Sequence, residues 1–448
     1  MAYTTIDDPT IYFNTITYTG DNTDRSFTGV GFQPDWVWVK ARNNTTWHML
    51  FDAVRGAGVE KELHANSTQA EGASDNVAYG YINSFDTDGF STIDGTSSSD
   101  ALNESGKTYV AWNWKAGGTA PAITYTVKVV SDSGNKYRFD DFGTSAVTLD
   151  LQEGGTYTFD QSDSSNSGHP LRFSTTSNGS HGGGSEYTTG VTTNGTPGSS
   201  GAYTRITVAA SAPTLYYYCT SHSGMGGQAN TNSTFGSSNF SGSIQSTVSA
   251  NTTAGFSIVK YTGTGANATV GHGLGSTPKV VIVKQRTTSN YNWVFGSDAL
   301  TSWAYIVKLN LTDAEATGSG PQSCFNSTAP TSSVFSIGTS AAVSNNTDNF
   351  IAYCFSEKTG YSKFGTFTGN QNTDGTFIYT GFKPSWVMFK EIGGNSPDNW
   401  FIYDNKRSSF NQTQKYLRAN LSNAEADGSA GAIDILSNGF KLRTADTG

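Results

Sequence analysis

Three cysteines are all that the 448 residues contain, and an odd number implies no disulfide framework. Charged residues make up only 14% of the chain, and the formal net charge of −9 is spread along it. With no basic stripe, a nucleic-acid-binding surface is not expected. No run is long and apolar enough to span a bilayer as a helix, so membrane insertion is not expected. The segment from Met1 to Asp8 has neither the basic region nor the apolar core of a signal peptide. Synthesis in a cytosol, without export by that route, is therefore the expectation. Runs with helical period are almost absent. There is no nucleotide-binding loop, no kinase or hydrolase signature, and no defensible carboxylate pair, so nothing points to an enzyme. What is abundant is glycine (51 residues), aromatic side chains (13%) and loops of Ser, Thr and Asn, the composition of an all-β protein. Triplets such as Asn44-Thr45-Thr46 read as loop composition rather than glycosylation sites.

One decapeptide recurs. Gly31-Phe32-Gln33-Pro34-Asp35-Trp36-Val37-Trp38-Val39-Lys40 returns as Gly381-Phe382-Lys383-Pro384-Ser385-Trp386-Val387-Met388-Phe389-Lys390. A looser copy spans Gly273 to Lys284, with Pro278 and the strand-like Val280-Val281-Ile282-Val283. Each copy predicts a Gly/Pro turn leading into a buried strand. The flanks repeat as well. Trp47, Trp293 and Trp400 each head a segment rich in apolar residues that reaches Asp52, Asp298 or Asp404. Leu63-His64-Ala65-Asn66, Leu309-Asn310 and Leu417-Arg418-Ala419-Asn420 follow, and each runs into an Ala-Glu pair ending at Glu71, Glu315 or Glu425. Ahead of the decapeptides, Tyr18-Thr19-Gly20, Tyr261-Thr262-Gly263 and Phe367-Thr368-Gly369 form a repeated arm. Closing strands are expected at Tyr109–Trp114 and Phe350–Phe355. Text repeated in this way is first of all structural.

The prolines locate an insertion. Pro34 and Pro278 are much further apart than Pro278 and Pro384, and the excess is the size of a small domain. The expected organisation is a first β-sandwich module at 1–120, an inserted β-sandwich at 121–232, and a Ser/Thr/Asn-rich flexible linker at 233–255. A second module follows at 256–362 and a third at 363–448. Each module is expected to bury a core of its own, with repetition extending reach. The third stops before its closing strand. Either the chain continues past Gly448 or another chain supplies that strand by edge addition; the first is favoured, because a missing strand leaves a sheet edge open.

The insert shows short alternating strands at 125–130, 147–151, 156–159, 171–173, 204–208 and 215–218 with Gly/Asn/Ser turns, the pattern of a sandwich. A Gly/Ser/Thr loop occupies about 175–200. One constellation there carries chemistry. Tyr218-Cys219-Thr220-Ser221-His222-Ser223-Gly224-Met225 offers a thiolate, an imidazole and a thioether on one short loop, and Gly168-His169-Pro170 offers a second imidazole at a strand start. Two His, one Cys and a weak axial Met are the donor set of a blue-copper site. On these residues, about Ala122 to Gln228 resembles the cupredoxin family, most closely its amicyanin-type members with a short ligand loop. The resemblance implies a Greek-key sandwich and copper ligands His169, Cys219, His222 and Met225. Arg172 near the site and the long Gly-rich loop depart from the family pattern. The bland alternative keeps the fold as a spacer and dispenses with the metal.

Other candidates reduce to structure. His181-Gly182-Gly183-Gly184 lacks a nucleophile elbow. Asp52 with Arg55 reads as a structural pair. His48 and His64 have no metal-spaced partners and no counterparts in the other modules. Cys324 and Cys354 read as free thiols, and Trp303 and Tyr361 as packing residues rather than a sugar platform.

The decapeptide, together with Asp52-Ala53-Val54-Arg55-Gly56, Asp86-Thr87-Asp88-Gly89-Phe90 and Thr108-Tyr109-Val110-Ala111-Trp112, resembles a repeat module of tailed-phage virion proteins, above all of marine phages. That resemblance implies tandem jelly-roll-like sandwiches in a tail fibre or related appendage exposed on the particle. It also implies contacts with other virion proteins and a host receptor or glycan, and a homo-oligomer, for which a trimer is plausible. The alternatives are a capsid-surface decoration (head-fibre) protein and a copper-dependent redox protein on a β-sandwich scaffold.

Overall fold

The computed structural model describes residues 4–74, 76–97, 100–117, 120–231, 235–393 and 398–445. The described chain is all-β, with only isolated single turns of helix, as expected. It divides into two compact units. One holds the three repeat modules; the other holds residues 117–250 with 269–273.

The decapeptides do the same job in each module. In the first, the strand Trp36–Ala41 lies between Met49–Asp52 and the closing strand Thr108–Trp114, with Trp36 opposite Asp52 on one side and Trp114 on the other. In the second, Val280–Gln285 lies between Val294–Ser297 and Asn349–Phe355, with Val280 opposite Ser297 and Phe355. In the third, Trp386–Phe389 pairs with Phe401–Asp404, and Trp386 faces Asp404. The arms Phe13–Thr19 and Phe256–Thr262 pair with the far side of the first two closing strands.

Both faces of the central strands in the first two modules are covered, which explains why the motif reads as an unbroken apolar run instead of an alternation. In the third module, Val387 points into a core shared with Tyr403, Tyr416, Ile433, Ile435 and Phe440. Trp386 and Met388, on the opposite face, pack on a larger core to which all three modules contribute. Trp36, Trp38 and Trp112 enter it from the first, Val280, Ile282 and Tyr353 from the second, and Trp400, Ile402 and Leu417 from the third. Here the structure differs from the expectation of modules that only extend reach. Trp36 stacks on Tyr353 at 4.4 Å, Trp114 meets Trp386 edge-on at 5.5 Å, and Phe295 meets Trp400 at 5.0 Å.

The junctions are cyclic. His48, Trp293 and Trp400 each donate a backbone N–H to the side chain of Asn66, Asn310 or Asn420 in their own module, at 2.9–3.0 Å. Their ring nitrogens cross to the next module: Trp293 Nε1 to the His64 carbonyl (2.8 Å), Trp400 Nε1 to Lys308 (3.0 Å), and His48 Nε2 to Arg418 (3.0 Å). Module two thus reaches one, three reaches two, and one reaches three. A second set runs the other way. The amides of Glu71, Glu315 and Glu425 donate to the carbonyls of Arg286, Ile392 and Arg42. At two of these places an ion pair is added, Arg286 with Glu71 and Arg42 with Glu425. Where the second module hands over to the third, Ile392 stands in the arginine's place.

This register corrects two alignments. The counterpart of Trp293 and Trp400 is His48, not Trp47, so His48 does have partners in the other modules. The counterpart of Asp52 and Asp404 is Ser297, not Asp298. His48 serves as a smaller indole: Trp38 Nε1 donates to its Nδ1 at 2.8 Å, which leaves the proton on Nε2 for the Arg418 carbonyl. Burial holds this imidazole well below its ordinary pKa, in keeping with that neutral form.

In the second unit, one sheet runs 135–139, 122–131, 156–160, 203–207, 191–194, and the other 149–150, 227–230, 215–219, 171–174. They enclose one core that includes Tyr125, Tyr157, Phe159, Phe173 and Tyr217. The stretch 233–255 is not a flexible linker where it is described. Ser237–Asn239 pairs with Ser246–Asn251, and Tyr125 and Tyr157 anchor their hydroxyls on Ser238 and Ser237. Those buried phenols need partners, and the stretch that reads as linker supplies them, the Ser238 carbonyl for Tyr125 and the Ser237 hydroxyl for Tyr157. Residues 232–234 of that stretch lie outside the described residues. The 175–200 loop also carries a strand, Val191–Asn194.

Candidate metal centre

The strand Leu215–Cys219 pairs with Leu171–Ser174, placing Cys219 opposite Leu171. It also pairs with Gly227–Asn230, so residues 220–226 form the connecting loop. Gly226 is obligatory there, since a Cβ would lie 1.7 Å from the Tyr217 carbonyl oxygen. The loop is pinned from outside. Gly224 N–H donates to Asn178 Oδ1 at 2.7 Å, Lys136 Nζ donates to the Gly224 carbonyl, and Tyr137 N–H donates to the Met225 carbonyl at 2.9 Å. His169 is held through its backbone, whose carbonyl accepts from Tyr137 Oη (2.8 Å) and Gln161 Nε2 (2.9 Å).

These supports bring all four expected residues to one end of the sandwich. Cys219 Sγ lies 3.8 Å from His169 Nδ1 and 3.8 Å from His222 Nδ1, and the three donor atoms lie within 4.8 Å of one another. Two atoms bound to a common ion at the ~2.1 and ~2.3 Å usual for imidazole and thiolate, about 120° apart, are separated by ~3.8 Å. The separations therefore suit one ion. Met225 is buried and lines the same surface cavity as His222, beside Asn135 and His181. Cys219 is fully buried and His222 exposed. Burial and the neighbouring His222 lower the pKa of His169, which keeps a lone pair free. A soft sulfur, two imidazoles and a thioether make a donor set that fits copper.

Arg172 does not disturb the site. Its guanidinium is engaged by the Leu171 carbonyl, Thr204 and Glu186. The sequence does not disclose His181, whose Nε2 lies 3.0 Å from the Cys219 carbonyl. It arrives from the long Gly-rich loop, where nothing in the local text signals a contact with the Cys strand.

The remaining candidates are structural. Asp52 pairs with Arg55 and Asp404 with Arg407, all buried. Each carboxylate also takes a donor from a neighbouring module, Tyr353 Oη on Asp52 at 2.7 Å and Trp112 Nε1 on Asp404 at 2.9 Å. His64 Nε2 meets Ser74 Oγ at 3.0 Å. The three cysteines are free and buried. Trp303 is buried with its indole on Asp298, and Tyr361 packs edge-on against Tyr12.

The fold and the site define an all-β protein of three sheet modules with an inserted sandwich that carries a compact His/Cys/His cluster. Residues 8–148 and 228–448 match a family described as a domain of unknown function (DUF7483), and the chain belongs to that family. The matched residues omit 149–227, where all four candidate ligands lie. No curated protein and no solved structure matches the chain.

Proposed function

We propose that this chain is a structural protein of a tailed-phage particle, built into a tail fibre or similar appendage that contributes to host attachment. The observation that carries the reading is the closed set of junctions. Three copies of one plan hold one another by ring N–H and backbone amide bonds to each other's carbonyls at every junction, with an ion pair added at two of the three, which is how a load-transmitting building block is made. The resemblance of the decapeptide modules to virion proteins supports the same reading. Its partners are other virion proteins and a host receptor or glycan, in a homo-oligomer on the outside of the particle. Electron microscopy of particles labelled with an antibody to this chain tests it. Label on the tail is expected; label on the capsid would make it a decoration protein, and unlabelled particles would overturn the reading.

A second reading concerns the insert, favoured by the two 3.8 Å separations around Cys219. His169, Cys219 and His222 would hold one copper ion, with Met225 as the weak fourth donor, and bound copper would supply one-electron chemistry. Dialysis against Cu(II) should give a thiolate-to-copper absorption band in the visible range that Cys219→Ser abolishes. A colourless protein at neutral pH, or one that takes up only zinc, would sink it.

A further inference from the structure

The run Asn178-Gly179-Ser180-His181-Gly182-Gly183-Gly184 has the composition of a loose loop, yet it is closely packed. Gly179 lies flat against the ring of Tyr218, where a Cβ would come within 2.4 Å, and a Cβ on Gly182 would meet the Ser177 carbonyl oxygen at 2.3 Å. Asn178 stands in the left-handed region at φ 61°, which asparagine tolerates, and Gly179–Gly182 closes a single tight turn. Beyond the glycines the chain is tied back to the strand Leu171–Ser174. Tyr187 N–H donates to the Phe173 carbonyl and Ser174 Oγ to the Ser185 carbonyl, both at 2.7 Å.

This turn reaches the metal centre at two points. The strand Leu215–Cys219 ends at a candidate ligand, and the chain leaves the sheet there for the loop 220–226. The Cys219 carbonyl, at that departure, meets His181 Nε2 at 3.0 Å. A carbonyl only accepts, so Nε2 carries the proton and donates. Gly224, between His222 and Met225, gives its N–H to Asn178 Oδ1 at 2.7 Å. One turn thus fastens the ligand loop at its start and again between its last two donors. The His181 side chain is exposed and shares a surface cavity with His222 and Met225. A side chain so placed adds little to the core; what it does hold is the Cys219 peptide.

We propose that residues 178–182 are a latch on the ligand loop, in which Asn178 and His181 are positioning residues that keep Cys219, His222 and Met225 in register for one ion. The part of this that concerns metal uptake rests on the copper reading above; the grip on Cys219 does not. The two imidazoles lie 3.8 Å from Cys219 Sγ, and a shift of the loop by about 1 Å would spoil that spacing. Residues that orient a metal's ligands typically change its affinity about 10–100-fold when removed.

The test compares the full chain with its Asn178→Ala, His181→Ala and doubly substituted variants, first without metal. Labelling of Cys219 by a maleimide, located by peptide mass spectrometry, should quicken at least ~tenfold in the double variant. Cys324 and Cys354, buried in the other unit, are the references that should not change. Amide exchange across 220–226 should rise in parallel. Cu(II) is then titrated and followed by the visible thiolate band. Its affinity should fall at least ~tenfold in the double variant, and His181→Gln, whose amide N–H can replace that of the imidazole, should keep most of it. If the double variant does not fold, His181→Ala, altered at an exposed side chain, gives the same readings. Unchanged labelling and exchange would overturn the latch, and so would a loosened Cys219 with copper affinity intact. A native chain that takes up no copper would sink the copper reading alone, and labelling would still decide whether the latch holds Cys219.

Discussion

Replacing Tyr353 by Phe deletes one oxygen from the shared core and nothing else. The hydroxyl donates to Asp52 at 2.7 Å across the junction between the second and first modules, and both residues are fully buried. A hydrogen bond to a charged acceptor contributes about 1.5–3 kcal/mol, and Asp52 keeps Arg55 as its counter-ion, so a loss near 2 kcal/mol is expected. The size of the unfolding unit converts this into temperature. The three modules form one compact unit of roughly 300 residues. At ~2.1 cal/mol/K per residue its unfolding entropy is ~0.6 kcal/mol/K, and the transition should fall by about 3 °C as a single step. Modules unfolding separately, each of ~100 residues, would instead show a fall of about 10 °C in one transition and none in the others. Scanning calorimetry of both proteins distinguishes these outcomes. A large shift confined to one of several transitions would refute the shared core as the source of stability.

Burial pushes Asp35 up to about 7, against the pull of the Ala116 amide and Lys115. A raised carboxylate stabilises fully below its unfolded pKa and loses that contribution as pH rises through the folded value. Its contribution to stability should therefore decline between pH 4 and 7, read by urea titration as a stability advantage of the native chain over Asp35→Asn that shrinks across that range. Lys284 shows the opposite sign: burial lowers it to about 7 although it donates to the Thr68 and Tyr291 carbonyls. Its contribution is lost as pH falls from about 10 to 7, with a slope of about 1.4 kcal/mol per pH unit that Lys284→Met should remove. Gly226→Ala places a methyl group against the Tyr217 carbonyl, and the ligand loop must move. Copper uptake, followed by absorption, should fall at least ~tenfold in this variant, because the donor separations suit one ion only as they stand.

Strand content, the three copies and the candidate ligands were legible because each is local. A Gly/Pro turn before a β-branched and aromatic run specifies a strand wherever it stands, and Cys219, His222 and Met225 share one loop. The Ser/Thr/Asn-rich stretch 233–255 reads as a linker because the order it shows over 237–251 derives from distant phenols, Tyr125 and Tyr157, that its own text does not mention. The role of His48 is hidden in the sequence for a related reason. An imidazole and an indole look unrelated in sequence, yet both present one ring N–H to a carbonyl of the next module.

Repetition alone showed that three modules share a plan, since each copy must satisfy the same backbone and the same turn. It could not show that the modules close on one another, because closure depends on which face of each sheet meets which neighbour, and that is decided by side chains hundreds of residues apart. Composition likewise put a thiolate and two imidazoles in one small sandwich. Only the packing of Tyr137, Gln161 and Asn178 around the two loops brought the donors to within 4 Å of Cys219, because a ligand set is a matter of positions in space and spacing in sequence constrains only the part that lies on one turn.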